Sequence, residues 1–105
     1  MRKVTQLTAI AMRDGYNLRV DNTEVHSDGN VMALHGNTIA IYDRLEGKLT
    51  LRDSGWKSVT TKERLNGILE TFGVDAYISQ KNGNWYVTTK SGQRYPWGGL
   101  LTVNI

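Results

Sequence analysis

The sequence contains no cysteine. That excludes disulfides, thiolate metal sites and a cysteine nucleophile, and it suits a reducing cytoplasm. Proline occurs once, as Pro96, so the chain has no Pro-rich hinge or linker. Histidine occurs twice, as His26 and His35, and neither stands at a zinc-ligand spacing from another ligand. Long apolar runs are also missing. Met1-Arg2-Lys3 is a basic start, but Thr5, Gln6 and Thr8 interrupt the stretch that follows, which rules out a signal-peptide block and a membrane span. The expectation is a soluble, intracellular protein without a membrane association.

Catalytic motifs are equally scarce. There is no Gly-x-Ser-x-Gly elbow, no Walker loop and no Gly-x-Gly-x-x-Gly. Glu24, His26 and Asp28 are metal-type side chains, but they precede a turn at Gly29 and read as solvated. His35 stands before Gly36-Asn37, where an imidazole commonly bonds local backbone. No metal, no cofactor and no catalytic residue is expected, and the chain reads as a non-enzyme.

What is present is a set of clear structural signals. A length of 105 residues fits one domain, 1–105, with a single core. Thr60 followed by Glu63 has the form of a capping box. Leu65, Ile68, Leu69 and Phe72 then recur at helical spacing, and Gly73 supplies a left-handed stop. The spacing predicts an amphipathic helix over about 61–72, with Glu63, Asn66, Gly67 and Glu70 turned away from its apolar stripe. A short helix over Thr5 to Arg13 is also expected, with Val4, Leu7, Ala11 and Ile10 inward and a stop at Asp14-Gly15.

Elsewhere the period is two. Val31 to Leu34 and Thr38 to Tyr42 flank the turn-prone His35-Gly36-Asn37, with Ile39 and Ile41 assigned to one face. Leu49 and Leu51 alternate with Lys48, Thr50 and Arg52. Ala76 to Gln80 and Trp85 to Thr89 flank Asn82-Gly83, the strongest short hairpin signal. Leu100 to Ile105 reads as a terminal strand, whose unpaired edge could pair with a second copy. The fold class is α+β, a mainly antiparallel meander with the capped helix packed on one face.

Several residues carry two readings. Gly67 lies on the polar side of its helix, where glycine costs about 1 kcal/mol against alanine. It marks either a partner's backbone approach or simple tolerance, the commoner case. Trp56, after Gly55, either closes the core over the helix start, which is the preferred reading, or anchors a partner. Tyr95 and Trp97 sit in Tyr95-Pro96-Trp97-Gly98, which reads as an irregular loop and the more credible exposed aromatic site.

Charge is uneven. Residues 1–47 carry five bases and six acids, or −1, whereas residues 48–105 carry eight bases and four acids, or +4. No acid follows Asp75, while Lys81, Lys90 and Arg94 do, among Tyr77, Trp85, Tyr86, Tyr95 and Trp97. Cations interleaved with rings suit a nucleic-acid surface. An ordinary solvated surface has the same composition, and alternation sends either Trp85 and Val87 or Tyr86 and Thr88 into the core.

The ordered blocks Leu34-His35-Gly36-Asn37, Ile39-Ala40, Gly55-Trp56, Thr60-Thr61-Lys62-Glu63-Arg64-Leu65-Asn66, Ile78, Gln80-Lys81 and Trp85-Tyr86 resemble a family of small tailed-bacteriophage proteins. The match covers roughly residues 22–87, with Asn22-Thr23 at its start. The resemblance implies a phage product made in the infected bacterial cytoplasm. The family carries no agreed activity, so no catalytic residue transfers. By class, it implies a stoichiometric binder of a host or phage protein, which could act as an inhibitor, with nucleic-acid binding as the alternative.

Overall fold

The computed structural model describes residues 1–105. Helix α1 (Lys3–Asp14) is followed by β1 (Leu18–Val20), β2 (Thr23–His26), β3 (Val31–Leu34), β4 (Asn37–Asp43) and β5 (Lys48–Arg52). Helix α2 (Val59–Thr71) comes next, then β6 (Ala76–Lys81), β7 (Asn84–Thr89), β8 (Arg94–Pro96) and β9 (Leu100–Asn104). The class is α+β with antiparallel pairing throughout. The strands form two sheets. Six lie in the order β1-β2-β3-β4-β5-β9, and three in the order β6-β7-β8. The last strand returns across the molecule to pair with β5, an arrangement that local periodicity cannot specify.

One core joins everything. Val25, Met32, Ala40, Leu49 and Leu51 line one face of the large sheet, and Met12 of α1 with Leu65, Ile68 and Leu69 of α2 covers it. Ile78, Trp85 and Trp97 of the smaller sheet and its exit loop close the far end. Alternation therefore sends Trp85 inward and Tyr86 toward solvent. Burial of this kind is worth roughly 25 cal/mol per Å² of apolar surface, which makes it the main source of stability.

Helix α2 keeps its expected stripe and stop. Gly73 is left-handed (φ 72°), Val74 N–H donates to the Leu69 carbonyl and Gly73 N–H to that of Glu70, which is a Schellman ending. Its start differs from the sequence reading. The cap is Ser58, whose Oγ accepts from Thr61 N–H at 3.1 Å. Thr60 lies inside the helix, and Glu63 turns to α1, accepting from Thr5 Oγ1 and from the Arg2 amide. Three hydroxyls in four residues satisfy the capping pattern, and contacts with α1 select among them.

Helix α1 departs more. Thr5, Thr8, Ala9, Ala11 and Met12 are buried, whereas Leu7, assigned inward, is 37% exposed. The reason is polar: Arg64 of α2 is 1% exposed and donates to Thr5 Oγ1 (2.7 Å), Thr23 Oγ1 (3.0 Å) and Glu63 Oε1. A buried guanidinium requires acceptors on every side, so Thr5 of α1 and Thr23 of β2 stand at buried positions that an apolar pattern would give to aliphatic residues. At the far end of α1, the Arg44 guanidinium donates to the Met12 and Arg13 carbonyls and lies 4.8 Å over the Tyr42 ring. A cation there complements the helix dipole.

Strand β4 also breaks its alternation. Met32 pairs with Ala40 and Ala33 with Thr38, which leaves Ile39 as the extra residue of a β-bulge. Ile39 and Ala40 are consequently both buried, and Ile41 turns outward instead of sharing the face of Ile39. The His35-Gly36 turn is left-handed at both positions, as a tight hairpin between β3 and β4 requires.

Candidate functional site

The loop from β5 to α2 is built around one carboxylate. Asp53 is buried; its Oδ1 accepts from Gly55 N–H (2.8 Å) and its carbonyl accepts from Trp56 N–H (2.9 Å). This is the local bonding by which aspartate fixes a turn. Ser54 and Gly55 are both left-handed (φ 53° and 82°), and the Ser54 hydroxyl donates to the Thr38 carbonyl. From the other side, Trp97 Nε1 donates to Asp53 Oδ2 at 2.7 Å, and the Trp97 ring packs 6.1 Å from that of Trp85. The turn is clamped between β4 and the second sheet, and it drives the next side chain outward.

That side chain is Trp56, 65% exposed. The preferred sequence reading, a core tryptophan, is overturned here: Trp97 fills the place behind the loop, so Trp56 is displaced to the surface. It stands on the rim of a cleft of about 520 Å³. Leu34 and Ile39 give the cleft its apolar lining, and His35, Asn37 and the start of α2 at Ser58 and Thr61 supply polar groups. The Ile39 bulge and the His35-Gly36 turn thus both serve the cleft. The Asp53 carboxylate and the Ser58 hydroxyl are engaged in holding the loop and the helix cap.

The other candidates separate. Gly67 is buried, because a Cβ there would overlap the Thr5 methyl. What approaches it is the Thr5 side chain of α1 in the same chain, so Gly67 is corrected from a partner site to a helix–helix contact. Asn66 is likewise occupied: its amide donates to the Ile78 carbonyl (2.9 Å) and accepts from the Ile78 N–H (2.7 Å). Trp97, expected in an exposed loop, is 7% exposed, and residues 94–96 form β8. Tyr95 is half-exposed, with its hydroxyl donating to Gln93 Oε1 at 3.0 Å.

The basic candidates divide in a similar way. In the second sheet Tyr77 stands opposite Thr88, and Thr88 opposite Arg94, on the solvent face. Ser79, Lys81 and Tyr86 share that face by alternation, and the Arg94 guanidinium lies 4.5 Å over the Tyr86 ring. Lys81, Arg94 and Tyr77 line one shallow depression. Lys90 lies apart at the strand end, paired with Asp75 at 3.1 Å. No group of three His, Cys, Asp or Glu side chains converges on a metal-sized site. No helix is long and apolar enough to cross a membrane.

The fold and the cleft define a small α+β protein that presents an aromatic-rimmed surface hollow. The chain belongs to the Kyanoviridae Gp96 protein family, a bacteriophage family whose model matches residues 1–102. That span is wider than the blocks at 22–87 and takes in α1 and the start of β9. No curated protein and no solved structure matches the chain.

Sequence reasoning missed Asp53, Leu34 and Ile39 as parts of the site. The Asp-Ser-Gly turn ahead of Trp56 was the available signal, since that sequence fixes a tight left-handed turn and exposes the residue after it.

Proposed function

We propose that this phage protein is a non-catalytic binding protein of the infected bacterial cytoplasm that engages a host or phage protein through the Trp56 cleft. Against a host enzyme, such binding would be inhibitory. The observation that carries the reading is the 65% exposure of Trp56 on a turn pinned from two sides by Asp53. Tryptophan is among the residues that dominate interface energetics, and a fixed ring loses little entropy on docking. An apolar-lined hollow beside it gives a partner's side chain somewhere to go. The test is a hydrogen-exchange footprint on the complex captured from infected cells. Protection should concentrate at residues 34–37 and 53–61; protection elsewhere, with these segments unchanged, would overturn the proposal.

A second reading, nucleic-acid binding, is favoured by the convergence of Lys81 and Arg94 with Tyr77 and Tyr86 on an open β-face that carries no acid. Cations answer phosphates, and rings offer stacking surfaces to bases of a single strand. Anisotropy titrations with labelled single-stranded DNA and RNA test it. Binding should weaken steeply as salt rises, and the Lys81→Ala/Arg94→Ala pair should reduce the salt slope by about 1.4, or about 0.7 for each phosphate contact to a single strand. No binding at low salt ends this reading and leaves the first untouched.

A further inference from the structure

The two sheets have four free edges, and three of them are protected. Strand β1 is three residues long and carries Arg19. The edge of β6 is occupied by the Asn66 side chain, which bonds both the N–H and the C=O of Ile78 as a neighbouring strand would. Strand β8 is three residues long and contains Arg94 and Pro96. Short length, charge, proline and side-chain cover are the usual means of blocking edge-to-edge pairing. Strand β9 has none of these. It runs for five residues, Leu100–Asn104, in unbroken register with β5, and no charged residue follows Arg94 in the sequence.

The parity of its free groups is fixed. Asp53 N–H donates to the Gly99 carbonyl and Ile105 N–H to the Gly47 carbonyl. Odd-numbered residues therefore turn their backbone toward β5, and alternation turns the N–H and C=O of Leu100, Thr102 and Asn104 outward. Half-buried Leu101 and Val103 lie on the core side of the same strand, opposite Leu51 and Leu49.

We propose that β9 pairs antiparallel with β9 of a second copy, about a two-fold axis at Thr102, so that two six-stranded sheets become one. Self-pairing in this register sets Thr102 against Thr102 and Leu100 against Asn104, so every outward N–H and C=O of the strand meets a partner. It also brings Leu101 beside Val103 of the second copy, extending the apolar row Leu51–Leu101 across the junction. No charge on either strand opposes the contact. A second copy fits because its strand has the same length, parity and neutrality.

Sedimentation of the full chain between about 1 and 200 µM tests this by mass action. The expected result is a concentration-dependent dimer. Thr102→Pro removes an outward N–H without touching a bond to β5, and Asn104→Lys sets a charge at the junction. Each should yield a monomer of half the mass while circular dichroism stays that of the wild type and the melting profile matches that of the wild type diluted to its monomer. A wild type that remains monomeric throughout overturns the proposal and leaves the edge to a strand of another protein. A dimer that survives both substitutions overturns it as well.

Discussion

Arg64 is the residue on which the two helices and the large sheet converge. It is fully buried and reaches Thr5, Thr23, Glu63 and Asn22 at once. Replacing it by methionine keeps the bulk but leaves the Thr5 and Thr23 hydroxyl oxygens without their donor and the Glu63 carboxylate without its cation. Urea denaturation should show a loss of about 3 kcal/mol, the scale of breaking a buried polar cluster from one side. Gly67→Ala should cost about 1–3 kcal/mol by the same measurement, although alanine is the better helix former. The Thr5 methyl it would meet belongs to a side chain held by two hydrogen bonds. A stabilising Gly67→Ala would mean that α1 does not dock there. Exposed charges behave differently. The Arg13 guanidinium, hydrogen-bonded to Asp14, holds that carboxyl below its usual range. A depressed carboxyl favours the fold above its ordinary value of about 3.9 and loses that contribution as pH falls further. Both groups are solvent-exposed, so Asp14→Asn should leave neutral-pH stability unchanged.

At the level of elements, α2 separates what sequence conveys from what packing decides. Its apolar stripe and its Gly73 stop were legible because they follow from helical period and backbone conformation alone. Its cap was not, since Ser58, Thr60 and Thr61 all offer hydroxyls and only the approach of α1 draws Glu63 away. The cap assignment is checked by a pair of substitutions. Ser58→Ala should destabilise by about 1 kcal/mol, while Thr60→Ala should stay within about 0.5 kcal/mol. The inward face of α1 departs from an apolar pattern because a buried arginine on another element takes Thr5 as an acceptor, while Thr8 bonds the helix's own carbonyls. Ile39 and Ile41 part company because the bulge against β3 interrupts the period of two. Asn66 looked like surface for a related reason: its partner, Ile78, lies on a strand of the other sheet. Asn66→Ala should uncover the β6 edge and speed hydrogen exchange of the Ile78 amide, which no other side chain bonds.

At the scale of the whole molecule, the family blocks around residues 60–66 build the frame, and the surplus lies on its surface. Gly55-Trp56 is the exception among those blocks. Its turn is explained by Asp53, whereas its ring is 65% exposed and makes no hydrogen bond within the chain. The second half of the sequence carries the positive charge, but the fold divides that charge. Lys81 and Arg94 share an open face, and Lys90 is tied to Asp75 at the strand end. The site was therefore half legible. Trp56 could be singled out from its neighbours, but its exposure depends on Trp97, which reaches Asp53 from a strand-and-loop segment far along the chain. The most direct test of the account is a calorimetric titration of the captured protein partner with wild type and Trp56→Ala, paired with denaturation of both. The account predicts unchanged stability and an affinity lower by about thirtyfold or more, the loss expected of a hot-spot tryptophan. Equal affinity for the two chains would contradict it.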